Sequence, residues 1–348
     1  MGCSRVNADS LAQTASLLLG EDKGLLAIDE SNATCNERFA KFGIAQTEEA
    51  RRAYRELIIT TEGLGESISG VILYDETFRQ RTSAGRLFTD VLAKAGIAVG
   101  IKVDTGAKDL AAHPAEKITE GLDGLRDRLA EYRRLGASFA KWRAVIALGP
   151  AIPSMACIEA NAQALARYAA LCQEAGLVPV VEAEVLMDGD HTLEACRAAT
   201  ESVLRAVFAE LLTHGVLLEG MILKPNLVLP GLASATQGSL DVVAEMTLGC
   251  LMRVVPAAVP GIAFLSGGQT AELATGRLNA INLRARAAGS RVPWALAFSF
   301  ARAIQQPALE IWQGKEVNIL AAQRALSRRA RFNWLARRGE YDGAMELA

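Results

Sequence analysis

Eight short apolar runs rich in β-forming residues recur down the whole chain, separated by longer segments with helical periodicity. In chain order the runs are 25–29, 70–74, 99–104, 139–146, 178–185, 221–228, 262–267 and 295–300. One of the helical segments follows a Thr47 cap and places Ala50, Tyr54, Leu57 and Ile58 on a single face. Strands that alternate with helices in this number are the pattern of a (β/α)₈ barrel.

We therefore predict an α/β fold, a single TIM barrel with additional N-terminal and C-terminal helices. The barrel is expected at about 24–312, the C-terminal helix and a short tail at about 313–348, and one domain over 1–348. A doubly wound sheet is the alternative. It is disfavoured because no G-x-G-x-x-G follows the first run and no linker marks a second domain.

Bulk composition excludes several classes of function. The chain has 348 residues, is 51% hydrophobic and 22% charged, and carries a formal net charge of −2. Without a block of Lys and Arg we expect no nucleic-acid partner, and without a long apolar stretch we expect no membrane span. The six cysteines contain no C-x-x-C pair, which predicts free thiols and a cytoplasmic location: Cys3, Cys35, Cys157, Cys172, Cys196 and Cys250.

Lys224 occupies an unusual setting within the segment Gly220 to Asn226, at the end of a short apolar run. Burial lowers the proton affinity of an amine from its free pKa of roughly 10.4 and makes the amine a nucleophile able to form a Schiff base with a carbonyl. The alternative is a lysine held in the barrel by a carboxylate, and this segment alone leaves both interpretations open.

Several runs carry charged residues two positions apart, a spacing that puts both side chains on one face of a strand. These pairs are Lys102 with Asp104, Lys141 with Arg143, and Glu182 with Glu184. In a barrel they would converge, with Lys224 and Asp29, on the cavity at the carboxyl ends of the strands. Structural ion pairs explain any single pair, but burying this many charges for stability alone is costly, so the cluster favours function.

Two lysines in this cluster, Lys141 and Lys224, are predicted to be near neighbours across the barrel. Like charge lowers the proton affinity of whichever amine is more buried. Loss of water from a carbinolamine needs a proton carrier, and Glu182, Glu184 and Asp29 are candidates.

Phosphate recognition is predicted at the last two runs, from Ser266 to Thr270 and from Ser299 to Arg302. Loops after the seventh and eighth strands of barrels often hold phosphate on glycine N–H groups and a helix N-terminus. A second phosphate is expected on the opposite side of the mouth. Its candidate contacts are Ser31, Thr34, Lys102 and Arg143.

Metal binding is not expected. The histidines are His113, His191 and His214, each isolated in a polar or loop setting, and no H-E-x-x-H occurs.

Seven motifs, in order, resemble those of class I, Schiff-base-forming fructose-bisphosphate aldolases, over about 11–339. They are KGLLAIDES (23–31), GIKVD (100–104), FAKWR (139–143), VEAE (181–184), ILKPN (222–226), FLSGGQ (264–269) and WALAFSF (294–300), the last followed by Arg302.

The resemblance implies a role for each charged residue of the cluster. Lys224 would form the imine with the C2 ketone, and Glu182 would carry protons during imine formation and C–C cleavage. Lys141 would assist carbinolamine turnover, Asp29 would orient the C4 hydroxyl, and Glu184 would hold the lysines in place.

The resemblance also assigns two phosphate contacts. The C1-phosphate would be held by Ser266, Gly267, the Ala301 backbone and Arg302. The C6-phosphate would be met by Ser31, Thr34 and Lys102, with Arg143 nearby.

Three features depart from the family pattern. The chain lacks the terminal tyrosine that takes part in proton exchange at the enamine, and Tyr341 is the only tyrosine in that region. Asn32 to Cys35 replaces a more usual Thr-Gly-Ser-Ile, and Glu37 stands where a lysine is common. Ala301 replaces a glycine.

The resemblance implies reversible, metal-independent aldol cleavage of D-fructose 1,6-bisphosphate to dihydroxyacetone phosphate and D-glyceraldehyde 3-phosphate in glycolysis or gluconeogenesis, with no cofactor. Its small-molecule partner would be a sugar phosphate, and the chain would form a homo-oligomer, a homotetramer in related enzymes. The alternatives are another Schiff-base barrel, such as a transaldolase or single-phosphate aldolase, and a non-catalytic binding scaffold on the same fold.

Overall fold

The computed structural model describes residues 5–347 and, within them, ten β-strands. The strands are β1 (Gly24–Ile28), β2 (Ile68–Leu73), β3 (Ala98–Lys102), β4 (Gly106–Asp109), β5 (Lys117–Glu120), β6 (Phe139–Ile146), β7 (Val178–Val185), β8 (Ile222–Pro225), β9 (Gly261–Phe264) and β10 (Ala295–Phe300). Eight of them form a closed parallel barrel in the order β1-β2-β3-β6-β7-β8-β9-β10, which confirms the predicted fold.

Twelve α-helices surround the barrel in the described part of the chain. They are α1 (Arg5–Leu18), α2 (Asn32–Ala40), α3 (Glu48–Ile59), α4 (Asp75–Arg79), α5 (Phe88–Lys94), α6 (Leu125–Arg134), α7 (Met155–Glu174), α8 (Leu193–Thr213), α9 (Leu240–Val254), α10 (Ala271–Ala288), α11 (Arg302–Trp312) and α12 (Ile319–Arg337).

The predicted N-cap of α3 is present. Thr47 Oγ1 accepts a hydrogen bond from the Ala50 N–H at 3.2 Å, and the periodic side chains Tyr54, Leu57 and Ile58 are buried.

All eight predicted strands occur, with small differences at their ends. The largest are in β9, which ends at Phe264 rather than at 267, and in β8, which stops at Pro225 although the apolar run continues to Val228. Asn226 ends the strand, because its side-chain oxygen accepts the Val185 N–H of β7 at 2.9 Å while its side-chain nitrogen donates to the Leu227 carbonyl. Pro225 also has no N–H to extend the ladder.

The antiparallel pair β4 and β5 was not predicted. It is an excursion between β3 and α6, with Gly106 opposite Glu120 and Asp109 opposite Lys117. Its residues are mostly polar and largely exposed, so it lacks the apolar alternation by which strands are recognised in a sequence.

Apolar side chains fill the lower half of the barrel interior. They include Leu25, Ala27, Ile72, Phe139, Val178, Val180, Ile222, Ala263 and Ala297. Gly100 makes room for the largest of them, since a Cβ at this position would lie 2.3 Å from the Phe139 ring. The interior is therefore a packed core below the polar side chains.

Helix α1 covers the end of the barrel at which the strands begin. Its residues Leu11, Ala15 and Leu18 are buried in the same apolar cluster as the barrel interior. The barrel is thus closed at the amino-terminal ends of the strands, so a small molecule has to reach the interior from their carboxyl ends.

The C-terminal helices α11 and α12 pack on each other and α12 also packs on α10. Arg337 near the end of α12 donates hydrogen bonds to the backbone carbonyls of Lys23 and Leu19, fixing the segment that leads into β1. The single-domain boundaries predicted above remain a prediction.

Five of the cysteines are buried free thiols, as predicted, whereas Cys3 lies outside the described residues. No helix among residues 5–347 is both long and apolar enough to cross a bilayer.

Candidate active site

Strand register brings charged residues of neighbouring strands side by side at the carboxyl ends of the strands. Arg143 of β6 is the register partner of Glu182 in β7, and Glu182 is the partner of Lys224 in β8. One step lower, Lys102 of β3 is paired with Lys141 of β6. Parallel partners point to the same side of a sheet, so these side chains share the inward face.

Lys224 lies inside this cluster and is only 3% exposed. Its Nζ is 3.2 Å from Glu182 Oε1. Burial lowers the pKa of Lys224 from its ordinary value, and the positive charge of Lys141 adds to this, while Glu182 opposes both. Lys224 is therefore the amine in the cluster that most readily becomes neutral.

Lys141 is equally buried but has two carboxylate partners. Its Nζ lies 2.9 Å from Asp29 Oδ2 and 2.7 Å from Glu182 Oε2. Burial acts against its charge, yet Asp29 and Glu182 together outweigh burial and hold the pKa of Lys141 above its ordinary value. Lys141 is a fixed cation next to Lys224.

The two carboxylates are held ionised by the same contacts. Burial would raise the pKa of Asp29, but Lys141 and then Lys224 outweigh it and hold that pKa well below its ordinary value. The pKa of Glu182 is likewise lowered, against burial, by both lysines. Glu182 lies between the two amines, with Oε2 near Lys141 and Oε1 near Lys224. From this position it can receive a proton from either lysine.

The ion pair of Glu184 differs from the expectation that this residue holds the two lysines in place. Its ion pair in the structure is with Arg143 Nε, and no ion pair with Lys141 or Lys224 is present among the described residues. The reason is the two-residue rise between Glu182 and Glu184, which puts Glu184 one level nearer the mouth. Glu184 thus positions Arg143 rather than the lysines.

Asp104 is a buried member of the cluster that the sequence predicts only as the charged partner of Lys102. It lies 3.4 Å from Lys102 Nζ and accepts the Arg143 backbone N–H at 3.2 Å. Ser299 begins the second predicted phosphate segment but is not among the predicted contacts. Its hydroxyl is buried without a hydrogen-bond partner among the described residues, on the face of β10 that it shares with inward Leu25 of β1. The sequence feature that would identify Ser299 is the two-residue alternation of β10, in which Ala295, Ala297 and Ser299 all face inward.

The predicted C1-phosphate residues lie together. Ser266 and Gly267 lie in the loop after β9, and Ala301 and Arg302 follow β10 at the start of α11. Arg302 Nη2 donates to the Gly267 carbonyl at 2.5 Å. The Gly267 N–H has no acceptor among the described residues, so it is available to an anion.

The second predicted phosphate site begins at the N-terminus of α2. Ser31 caps this helix, accepting the Thr34 N–H at 3.3 Å, and the two hydroxyl groups are 3.1 Å apart. Lys102 is half-buried, with its Nζ 5.9 Å from the centre of the Tyr74 ring. No hydrogen bond joins Ser31 or Thr34 to Lys102 or Arg143 in residues 5–347.

Tyr341 is engaged away from the lysines. Its hydroxyl donates to Glu346 at 2.7 Å, and the same carboxylate pairs with Arg329 of α12. Burial, reinforced by Glu346, holds the pKa of Tyr341 well above its ordinary value.

No group of three or more His, Cys, Asp or Glu residues in the described part of the chain has a geometry that could hold a metal ion. His113 and His214 contact backbone carbonyl groups, of Ala111 and Glu210 respectively.

The chain is similar along nearly its whole length to proteins of one family. A family model for glycolytic class I fructose-bisphosphate aldolase matches residues 10–348. A probable fructose-bisphosphate aldolase class 1 of Xanthomonas campestris pv. campestris is 52% identical over 97% of this chain and 100% of that protein. Cytosolic fructose-bisphosphate aldolase 4 of Arabidopsis thaliana is 50% identical over 93% of this chain and 82% of its own length.

The fold is similar to that of a solved structure of the same family. The structure is of fructose-bisphosphate aldolase from Plasmodium falciparum in complex with TRAP and a small-molecule inhibitor. It is 44% identical, has a TM-score of 0.95, and the match covers 99% of this chain and 98% of that one.

Proposed function

The chain belongs to the class I fructose-bisphosphate aldolase family, and we propose that it cleaves D-fructose 1,6-bisphosphate reversibly to dihydroxyacetone phosphate and D-glyceraldehyde 3-phosphate through an imine on Lys224. The observation that carries this proposal is the contrast between the two buried lysines. The pKa of Lys224 is lowered while that of its neighbour Lys141 is raised, so one amine is prepared for nucleophilic attack and the other is not.

The first step is attack of the neutral Lys224 amine on the C2 ketone. The C2–N bond forms, the carbonyl electrons move to oxygen, and that oxygen takes a proton to give the carbinolamine. Glu182 Oε1 is 3.2 Å from Nζ and can accept the proton that nitrogen loses. The hydroxyl group then leaves as water with a second proton, and a protonated imine remains.

Cleavage uses the protonated imine as an electron sink. A carboxylate removes the C4 hydroxyl proton, the C4 carbonyl forms, and the C3–C4 bond electrons move into the imine to give an enamine. Asp29 and Glu182, both held ionised by Lys141, are the available bases. A proton added at C3 and one water added at C2 release dihydroxyacetone phosphate and restore the amine.

The fixed charge of Lys141 has two effects in this scheme. It disfavours protonation of Lys224 before the reaction, because two neighbouring cations repel each other. Lys141 also carries protons that can assist loss of the carbinolamine hydroxyl, as the resemblance implies.

A phosphate on each side of the mouth would fix the sugar between them. The C1-phosphate is assigned to Ser266, Gly267, the Ala301 backbone and Arg302, which the fold brings to adjacent loops. The C6-phosphate is assigned to Ser31, Thr34, Lys102 and Arg143. In support, Lys102 and Arg143 lie at the same mouth, where they add positive charge.

Steady-state cleavage assays test the proposal. We expect turnover of fructose 1,6-bisphosphate in the presence of EDTA, with a kcat/KM at least tenfold above that for fructose 1-phosphate. Equal kcat/KM values would indicate the single-phosphate alternative. No turnover of either sugar by a folded protein would indicate a binding scaffold.

We also propose a cytoplasmic location and a homotetrameric state. The location is supported by the cytosolic relative from Arabidopsis thaliana and the tetramer by the family resemblance alone. Light scattering on the purified chain, whose mass is 37.0 kDa, should give four times that mass.

A further inference from the structure

Arg277 in α10 is a buried guanidinium group with no carboxylate partner among the described residues. It is 4% exposed, and its only hydrogen bond within residues 5–347 runs from Nη1 to Gln269 Oε1 at 2.8 Å. Its Nε is buried without an acceptor. Burial alone accounts for the lowered pKa of Arg277, since no neighbouring acid opposes it.

A buried charge without a counterion is costly, and other buried arginines of this chain show how the cost is usually met. Arg55 pairs with Glu30, and Arg337 donates to two backbone carbonyls. Arg277 has neither arrangement. Stability therefore does not explain why an arginine occupies this position.

Gln269 connects Arg277 to the loop after β9. Its side-chain oxygen accepts from Arg277, which turns its side-chain nitrogen toward the Ser266 carbonyl at 2.8 Å. The Gln269 backbone N–H also donates to that carbonyl at 3.2 Å. The carbonyls of Ser266 and Gly267 are thus both held by protein donors, the second by Arg302.

We propose that Arg277 is a positioning residue for the anion site at Ser266 and Gly267, and that it acts through Gln269. Arg277 also contributes a positive charge that is balanced only when the C1-phosphate binds. This inference rests on the proposed function, because that function puts a phosphate at these residues. Gln269 holds the loop in the conformation that leaves the Gly267 N–H available to the anion. The unbalanced charge of Arg277 favours binding of the phosphate dianion.

The matched variants are Arg277→Met, which removes the charge at similar length, and Arg277→Lys, which keeps it. Arg284→Met is the control on the same helix, where a half-exposed arginine pairs with Glu245. Two measurements are made on each folded variant. One is the dissociation constant of inorganic phosphate by calorimetry, and the other is the concentration of dihydroxyacetone phosphate, or of unphosphorylated dihydroxyacetone, that half-saturates borohydride trapping.

We expect Arg277→Met to weaken inorganic phosphate and dihydroxyacetone phosphate by about 5- to 30-fold. The half-saturating concentration of dihydroxyacetone should stay within about twofold, because the charge acts on the phosphate. Arg277→Lys should lie between Arg277→Met and the unchanged protein, and Arg284→Met should match the unchanged protein. Unaltered phosphate binding in Arg277→Met, or an equal loss for dihydroxyacetone, would overturn the inference.

A second variant covers the case in which Arg277→Met does not fold. Gln269→Glu supplies Arg277 with a carboxylate and removes the donor to Ser266, so it should weaken phosphate binding by a similar factor; wild-type affinity would contradict the inference. Calorimetry with inorganic phosphate needs no imine. Failure of trapping in the unchanged protein would therefore count against the proposed function alone.

Discussion

At the scale of single residues, Lys141 and Lys224 have similar sequence surroundings but pKa values shifted in opposite directions. Each stands in an apolar strand with a charged neighbour in the barrel. The family resemblance singles out Lys224, whereas burial and charge read from the sequence predict only that the more buried of the two amines should be the weaker base. Glu182 contacts both amines, so the difference between their pKa values comes from Asp29, which contacts Lys141. Asp29 directly follows β1, far from Lys141 in the sequence. That contact depends on barrel closure, which local sequence does not display.

Replacing Lys141 should change the pH at which Lys224 is active. Lys141 lowers the pKa of Lys224, so Lys141→Met should raise it and also leave Glu182 free to pair with Lys224. The neutral amine is required for attack. The acid limb of kcat/KM against pH should therefore move upward by about one to three units.

Lys141→Arg is the control for that profile, since it keeps the cation between Asp29 and Glu182. It should leave the acid limb within about half a unit of the wild-type position. An unchanged or lowered limb in Lys141→Met would show that Lys141 does not tune Lys224.

At the scale of elements, strands were predictable and loops were not. Apolar runs located every barrel strand, because both faces of a parallel strand are buried and the run is nearly continuous. The hairpin of β4 and β5 has mostly polar residues without apolar alternation, so the sequence does not predict it. The early end of β8 depends on the side-chain hydrogen bonds of Asn226, which periodicity does not reveal. The pairing of Glu184 with Arg143 was missed for the same reason.

The loop after β9 gives a prediction for Gly267. This residue has φ +56°, and a Cβ would lie 2.9 Å from Met187 Sδ. Gly267→Ala should raise the KM for fructose 1,6-bisphosphate by about tenfold, through left-handed strain of about 1–2 kcal/mol and displacement of the loop. Gly96→Ala is the control, with φ +71° and no atom within 4 Å of the added Cβ. Equal KM values in both variants would exclude a special role for the loop.

The C-terminal tail gives a further prediction. Tyr341 donates its hydroxyl to Glu346, and Glu346 pairs with Arg329. Tyr341→Phe should cost about 1 kcal/mol in the free energy of unfolding, which chemical denaturation would measure. It should leave kcat for fructose 1,6-bisphosphate within about twofold. A fall in kcat of a hundredfold would identify Tyr341 as the enamine proton donor after all.

At the scale of the whole molecule, the position of the site follows from which end of the barrel is closed. Helix α1 packs against the interior at the start of the strands, and Phe139 occupies the space left by Gly100. Alternation of eight strands and helices was enough to predict the barrel. The same alternation does not predict that α1 closes one end, because an amphipathic face shows that a helix packs on something but not on what.

The buried carboxylates make a prediction for acid stability. The folded-state pKa of Asp29 is below its ordinary value, so its contribution is present above about pH 4 and is lost as pH falls through the lower folded value. Asp29→Asn should therefore be less stable by about 2 kcal/mol at pH 7, with the difference shrinking below about pH 4. Urea unfolding between pH 7 and pH 3 measures this.

Asp123→Asn, at an exposed loop position, is the control for that series. Its difference from the unchanged protein should stay near zero at every pH. A constant deficit in Asp29→Asn across the pH range would show that Asp29 is not an ionised partner of Lys141.

Borohydride trapping tests the central claim most directly. The protein would be reduced in the presence of dihydroxyacetone phosphate, digested, and the modified lysine identified by peptide mass spectrometry, with Lys224→Arg treated in parallel. We predict one adduct, on Lys224, and none in Lys224→Arg. An adduct on Lys141 instead, or a fully active protein that yields no adduct at any lysine, would contradict the account.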